Sequence, residues 1–317
     1  DENRCLIHTS FSQQNENWPY NWSGYCAIEG YTFVPDDNFE QALIDLGYDD
    51  VLDNYVVTDS ISGVTSLNVY SRSISDLTGI EAFVALNELT CGSNPLGEVD
   101  LSNNTALTSL SIGLSQLTSL DLSNNTSLTS LLCQLNGLTS LDVSANTALT
   151  TISCRENNLT ELILGNNTAL TVLSCYGNGL TSLDVSANTA LTTLDCSSNQ
   201  LTTLDVSANT ALEQFRCDDN QLTYLNMKNG ITDQLTIFDA IDNSLTCIEV
   251  NADDIDYATA NWTSGNSNID AGVTFSESCV VQGNPDYAYV PDNNFEQALI
   301  ELGYDDVMDD FVLTANI

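Results

Sequence analysis

Five Lys and Arg against 44 Asp and Glu leave the 317-residue chain with a net charge of −39. Nucleic acid and anionic membrane are bound through Lys and Arg that displace counterions, so such a surface excludes both as partners. No apolar run reaches the ~18–20 residues of a membrane helix, while a hydrophobic content of 42% is enough for a packed core. Cations, basic partners and neutral ligands stay open, and so does a plain role of the acidic surface in solubility.

Residues 1–30 carry Cys5 and Cys26, which we expect to pair. Cys5-Leu6-Ile7, Asn17-Trp18 and Cys26 match Cys247-Ile248-Glu249, Asn261-Trp262 and Cys279 in kind and order. Residues 1–30 read either as the C-terminal cap of a preceding module or as a disulfide-clipped N-terminal cap. Residues 31–63 predict a short amphipathic capping helix. Asp36 or Asp37 caps its start, Phe39, Ala42, Leu43 and Leu46 share one face, and Gly47 suits its C-terminus. That face would cover the open end of an apolar core.

Residues 64–251 are repetitive. Five consecutive 21-residue units start at Leu107, Leu128, Leu149, Leu170 and Leu191. Units from Val64 and Leu86 precede them, and looser ones start at Leu212 and Leu235, making nine. Each unit reads L-x-x-L-x-C-x-x-N, then L-T-x-L-D-[LV]-S-x-N-T-[AS]. Alternation in L-x-C puts Leu and Cys on one face of a strand and the residues between them on the other. One such strand cannot bury its apolar side alone, whereas stacked units can, in a parallel sheet with ~4.8 Å between strands. Asn94, Asn136, Asn157, Asn178, Asn199, Asn220 and Asn243 close the strands, where a side-chain amide can bond turn backbone. The second half, rich in Thr, Ser, Val and Asn, predicts extended or turn structure instead of helix. The fold expected is a leucine-rich-repeat right-handed solenoid with a parallel β-sheet on the concave face, β or irregular return halves and an N-terminal capping helix.

Six cysteines, Cys91, Cys133, Cys154, Cys175, Cys196 and Cys217, occupy one repeat position, which Ile112 and Ala240 fill in other units. They read as buried thiols; neighbours ~4.8 Å apart and pointing the same way do not suit a disulfide. The four cysteines outside this row flank the repeats, and we expect Cys5–Cys26 and Cys247–Cys279 to be disulfides, which implies an oxidising compartment. Units of 21 residues with Cys in the strand resemble the internalin branch of leucine-rich-repeat proteins, in particular the internalin J type with its cysteine ladder. The resemblance covers roughly residues 64–250 and the caps. It implies a bacterial surface protein used in adhesion or recognition, and leaves the ligand open.

Residues 252–286 read as the C-terminal cap. Residues 287–317 repeat 31–61 at a displacement of 256, identical at 21 of 31 positions, and read as the start of a further module's N-terminal cap. The expected context is a monomeric module within a longer tandem chain.

Within the repeats the second half hardly changes, whereas the outward strand positions vary sharply. On that variation the expected ligand surface is Tyr70, Arg72, Leu132, Gln134, Leu135, Arg155, Glu156, Tyr176, Arg216 and Asp218. Tyr and Arg are frequent interface anchors, though Arg155–Glu156 and Arg216–Asp218 also read as ordinary surface ion pairs. The single histidine, His8, has no nucleophile or metal-ligand spacing around it, so no catalytic residues are assigned. No cofactor is assigned either. Asp49, Asp50 and Asp53, their counterparts Asp305, Asp306, Asp309 and Asp310, and the stack Asp100, Asp121, Asp142, Asp184 and Asp205 offer oxygen ligands for structural calcium. They form no defined cage, and Ile163 and Asn226 interrupt the stack. An even row of Thr from Thr118 to Thr223 raises ice binding as a minor alternative. The reading favoured is a non-catalytic extracellular recognition or adhesion module on a bacterial surface, binding a protein or glycan without membrane insertion. The alternative is a structural spacer or stalk in a tandem-repeat surface protein, with or without calcium.

Overall fold

The computed structural model describes residues 28–279 and, by backbone, the strands Tyr287–Tyr289 and Phe311–Leu313. Cys5, Cys26 and His8 lie outside the described residues, as do Asp305, Asp306, Asp309 and Asp310.

Nine three-residue strands, from Ser66–Asn68 to Ile237–Asp239, pair in chain order into one parallel sheet, one strand for each repeat. The register runs straight across: Leu110 pairs with Leu131, Leu131 with Ile152, and Leu173 with Leu194. The central residue of every strand is buried. The next inward position holds Val69, Cys91, Ile112, Cys133, Cys154, Cys175, Cys196, Cys217 and Ala240, all buried. A straight register follows from near-identical coils, because any slip would put a polar residue into the core.

The return halves are thin. Ser140–Asp142 pairs with Glu161–Ile163, and Thr203–Asp205, Tyr224–Asn226, Cys247–Glu249 and Thr274–Ser276 form a second parallel sheet. A single 3-10 turn, Ile80–Ala82, replaces this pattern in the first coil. Two asparagine columns connect the coils. In the predicted column, Asn136 donates to the Ile112 and Cys133 carbonyls and accepts from the Ser115 and Leu117 N–H groups, so one amide serves four backbone groups. The second column was not assigned from sequence: Asn104, Asn125, Asn146, Asn188 and Asn209 are buried in the S-x-N-T turn, and Asn167 and Asn229 are buried at the same place in coils that lack that motif. Asn146, for example, donates to the carbonyls of Leu122 and Asn125 in the coil before it.

At the N-terminal end, β1 (Tyr31–Phe33) and β2 (Tyr55–Val57) form an antiparallel pair around helix α1 (Asp37–Asp45), and the short helix α2 (Thr58–Ile61) leads into the first coil. Asp36 is the N-cap, accepting from the N–H groups of Asn38 and Phe39. Phe39, Ala42 and Leu43 are buried, and the Phe39 ring lies 6.4 Å from that of Phe83. Leu46 does not join that face. It is the C-cap, 42% exposed, because the chain turns away at Gly47 (φ 80°) before another helical turn can form. At the far end Trp262, behind helix α3 (Ile255–Asn261), packs between Phe238 and Phe275, and a disulfide joins Cys247 to Cys279. Tyr287–Tyr289 pairs antiparallel with Phe311–Leu313 in the register of β1 and β2 displaced by 256 residues.

Candidate recognition surface

Each strand of the nine-stranded sheet sends its first and third residues outward, and the chain then turns at a residue with positive φ. Ser71, Ser93, Leu114, Leu135, Glu156, Gly177, Ser198, Asp219 and Asp242 all occupy this place, with φ between 51° and 68°. Glycine or asparagine would adopt this conformation most easily. Leu135 and Glu156 therefore belong to the rim of the sheet and not to its strands.

The predicted residues separate into three groups. Leu132, Gln134 and Leu135 share one coil, Arg155 and Glu156 the next, and Tyr176 the one after. The Arg155 guanidinium donates to the Tyr176 hydroxyl and lies 5.5 Å from the centre of its ring, while that hydroxyl donates to Glu156 at 3.1 Å. This is one preorganised cluster. Arg216 and Asp218 lie two coils beyond Tyr176. The coil between them carries Ser197, whose hydroxyl lies 2.7 Å from both Asp195 and Asp218. Tyr70 stands apart on the first coil, 52% exposed. Arg72 lies past the strand and pairs with Asp45 of α1 at 2.6 Å, so it ties the cap to the first coil.

Leu132, Leu135 and Tyr176 are half-buried, whereas Leu114, not singled out from sequence, is 50% exposed. Its repeat position, the same as that of Leu135, was the available signal. Gly92 and Gly113, one column over, are buried: a Cβ on either would come within 2.9 Å of the next coil's backbone oxygen. The Gln134 side-chain amide lies 3.1 Å from where a Cβ on Gly113 would sit, so it covers this glycine from the next coil. Burial pushes the Asp239 carboxyl up, the Ile241 N–H pulls it down, and the Asp218 carboxylate pushes it up again, against Arg216.

The Asp stack on the return side is otherwise engaged. Asp100, Asp121, Asp142, Asp184 and Asp205 each accept the N–H of the serine two residues on. Among the described residues, no three His, Cys, Asp or Glu side chains are grouped to hold a metal ion.

The chain matches the family model described as Leucine Rich repeats (2 copies) over residues 168–209. It is 42% identical over 73 residues to Internalin J of Listeria monocytogenes serotype 4b (strain F2365), across 23% of this chain and 8% of that protein. Its fold is similar to that of the functional domain of InlJ from Listeria monocytogenes, which includes a cysteine ladder; the TM-score is 0.54 and the identity 33%, covering 69% of this chain and 56% of that one. Its fold is the leucine-rich-repeat solenoid of the internalins. It also shares its fold with YopM, a leucine-rich effector protein from Yersinia pestis, at a TM-score of 0.51 and 24% identity, over 60% of this chain and 52% of that one. It spans just over half the length of the InlJ domain and a small part of the whole Internalin J protein.

In this internalin-like solenoid the six ladder thiols are free and buried. Burial pushes Cys91 and Cys154 up to about 12, and Cys133, Cys175, Cys196 and Cys217 well above the ordinary thiol value. A thiol held protonated is a poor nucleophile and a poor metal ligand, so the ladder fills the core.

Proposed function

We propose that this chain is a non-catalytic recognition module that binds a protein or glycan partner on the outward face of its nine-stranded sheet. Its setting is outside the cell, on a bacterial surface, where it acts as a monomeric module. Its internalin-like repeats and the disulfide at its C-terminal cap support that setting.

The observation that carries the reading is the contrast between the two faces. The inward positions and the return halves repeat almost unchanged, while the outward positions change from coil to coil. On that changing face Arg155, Glu156 and Tyr176 hold one another in place. An aromatic ring and a guanidinium already fixed lose little entropy on binding, and both are common binding anchors. Tyr70 and Tyr176 suit stacking on a sugar; Leu132 and Leu135 suit a protein.

The test is a glycan array run beside a pull-down from candidate host or neighbouring cells, repeated with R155A/Y176A. Any partner bound through this face should lose most of its affinity in the double variant. Unchanged binding would place recognition elsewhere.

A second reading, a spacer or stalk built from modules displaced by 256 residues, draws on the recurrence of the β1–β2 register at Tyr287–Leu313. Sequencing the parent gene tests it, because further copies at that period are its direct consequence.

A further inference from the structure

The outward face changes chemistry along the solenoid axis. In the coils that begin at Leu107 and Leu128, the outward and rim positions hold Ser, Gly, Gln and Leu, with no charge. Leu114 is exposed and Leu132 half-buried there, beside the buried Gly92 and Gly113. In the middle, the charge of Arg155 is already matched by Glu156 and capped by Tyr176. In the last three coils the same positions hold Asp195, Asp218, Asp219, Asp239 and Asp242, with Arg216 as the one cation among them. Ser197 has a single hydroxyl proton yet that hydroxyl lies 2.7 Å from both Asp195 and Asp218, while its N–H reaches Asp195 alone, so two carboxylates of neighbouring coils compete for one hydroxyl proton. Burial and the neighbouring Asp218 both work against a charge on Asp239, and an arriving cation would relieve that.

We propose that the occupant of this face is an extended polypeptide segment of a partner protein, apolar at one end and rich in Lys and Arg at the other. It runs along the solenoid axis, with its apolar end over Leu114 and Leu132 and its basic end over Asp195, Asp218 and Asp239. Six strand spacings of ~4.8 Å separate the coils of Leu114 and Asp242, which an extended chain covers in roughly nine residues. Charge complementarity sets the direction of the segment and its rate of arrival, and Leu114 and Leu132 supply the apolar contact. This inference rests on the recognition reading and commits it to a protein ligand.

The probe is a random dodecapeptide library displayed on phage and selected on four proteins: the wild type, D195N/D218N/D239N, L114S/L132S, and a control, D121N/D142N/D184N. The control alters three exposed carboxylates of the return side and changes net charge by the same amount. Urea midpoints confirm that all four are folded. On the wild type and the control, selected peptides should carry Lys and Arg at one end and apolar residues at the other. The basic excess should vanish on D195N/D218N/D239N and the apolar excess on L114S/L132S. The wild-type consensus peptide should bind the triple Asn variant about tenfold more weakly or worse, and lose affinity as salt rises. Equal basic excess on all four proteins would mean attraction to bulk negative charge alone and would overturn the proposal, as would selection without a basic excess or no enrichment at all. A glycan bound through Tyr176 with no peptide enrichment would sink this inference and leave the recognition reading intact. A partner indifferent to R155A/Y176A would sink that reading itself.

Discussion

Asp36 joins the capping helix to the first coil through Ser75. One carboxylate oxygen accepts the N–H groups of Asn38 and Phe39 at the start of α1, and the other accepts the Ser75 N–H at 2.8 Å, its hydroxyl at 2.7 Å and the Asp76 N–H at 3.1 Å. Burial pushes this carboxyl up, but the hydrogen bonds from Ser75, Phe39 and Asp76 outweigh it and hold the group below its ordinary value of 3.8. A carboxylate depressed on folding stabilises the fold above its unfolded pKa and ceases to do so as pH falls through the folded one. D36A should therefore cost about 2–3 kcal/mol at pH 7, the loss of a cap together with buried partners. The gap between D36A and wild type should narrow only below pH 3.8, as urea denaturation at a series of pH values will show.

Glu40, one turn into the same helix, behaves in the opposite sense. It is buried, with one oxygen accepting the N–H groups of Asp53 and Tyr55 and the other accepting no hydrogen bond from the described residues. Burial pushes its carboxyl above the ordinary value of 4.5, those N–H groups pull it down, and Asp49 pushes it up again. A carboxyl raised on folding stabilises the fold below its unfolded pKa and loses that contribution as pH rises through the folded value. E40Q keeps an acceptor for the two N–H groups and discards the charge. It should match wild type below pH 4.5 and exceed it in stability at pH 7, the difference opening just above 4.5. Equal pH profiles for the two proteins would refute this account.

The predicted asparagine column should be the costliest polar feature to remove. Asn157 donates to the carbonyls of Cys133, Cys154 and Arg155 and accepts from the Leu138 N–H. N157A leaves several of these groups unpaired in the interior, an expected loss of about 2–4 kcal/mol. Neighbouring N158A, at an exposed site, should change stability by less than about 0.5 kcal/mol. In a solenoid held together by contacts between adjacent coils, N157A should also broaden the urea transition or split it in two.

The cysteine ladder predicts silence toward thiol reagents. The ladder thiols of the native protein should not react at pH 8, and should react fully in denaturant. C154A should be tolerated at a cost of about 1–2 kcal/mol, a small cavity, since Ala240 already occupies the equivalent place in its coil. Fast labelling of Cys154 in the native state would mean that the coils part far more readily than their packing implies.

The stack of coils was legible in the residues because it is periodic. A 21-residue repeat of Leu, Cys and Asn has only one way to bury its apolar side, and each coil restates the same instruction. The outward columns followed from alternation in the strand, whereas the sequence paired Arg155 with Glu156 and the structure adds its contact with Tyr176, 21 residues on. Two kinds of feature were not legible: amides buried inside a turn, and contacts that lack periodicity. The return-side asparagines repeat as regularly as the others, yet burial of an amide inside a turn depends on which backbone carbonyls the preceding coil presents. Leu46 carries an apolar side chain but falls where the helix ends, and Glu40 carries a charge but faces the interior. The partnership of Arg72 with Asp45, in place of a role on the open sheet face, required the cap to be seated on the first coil. Sequence alone therefore determined the apolar stacking and the strand-closing asparagines that translation from coil to coil generates. The tertiary structure decided the amides buried in the return turns, which depend on the carbonyls presented to them, and the contacts made once, at the caps and rims, where non-repeating segments meet.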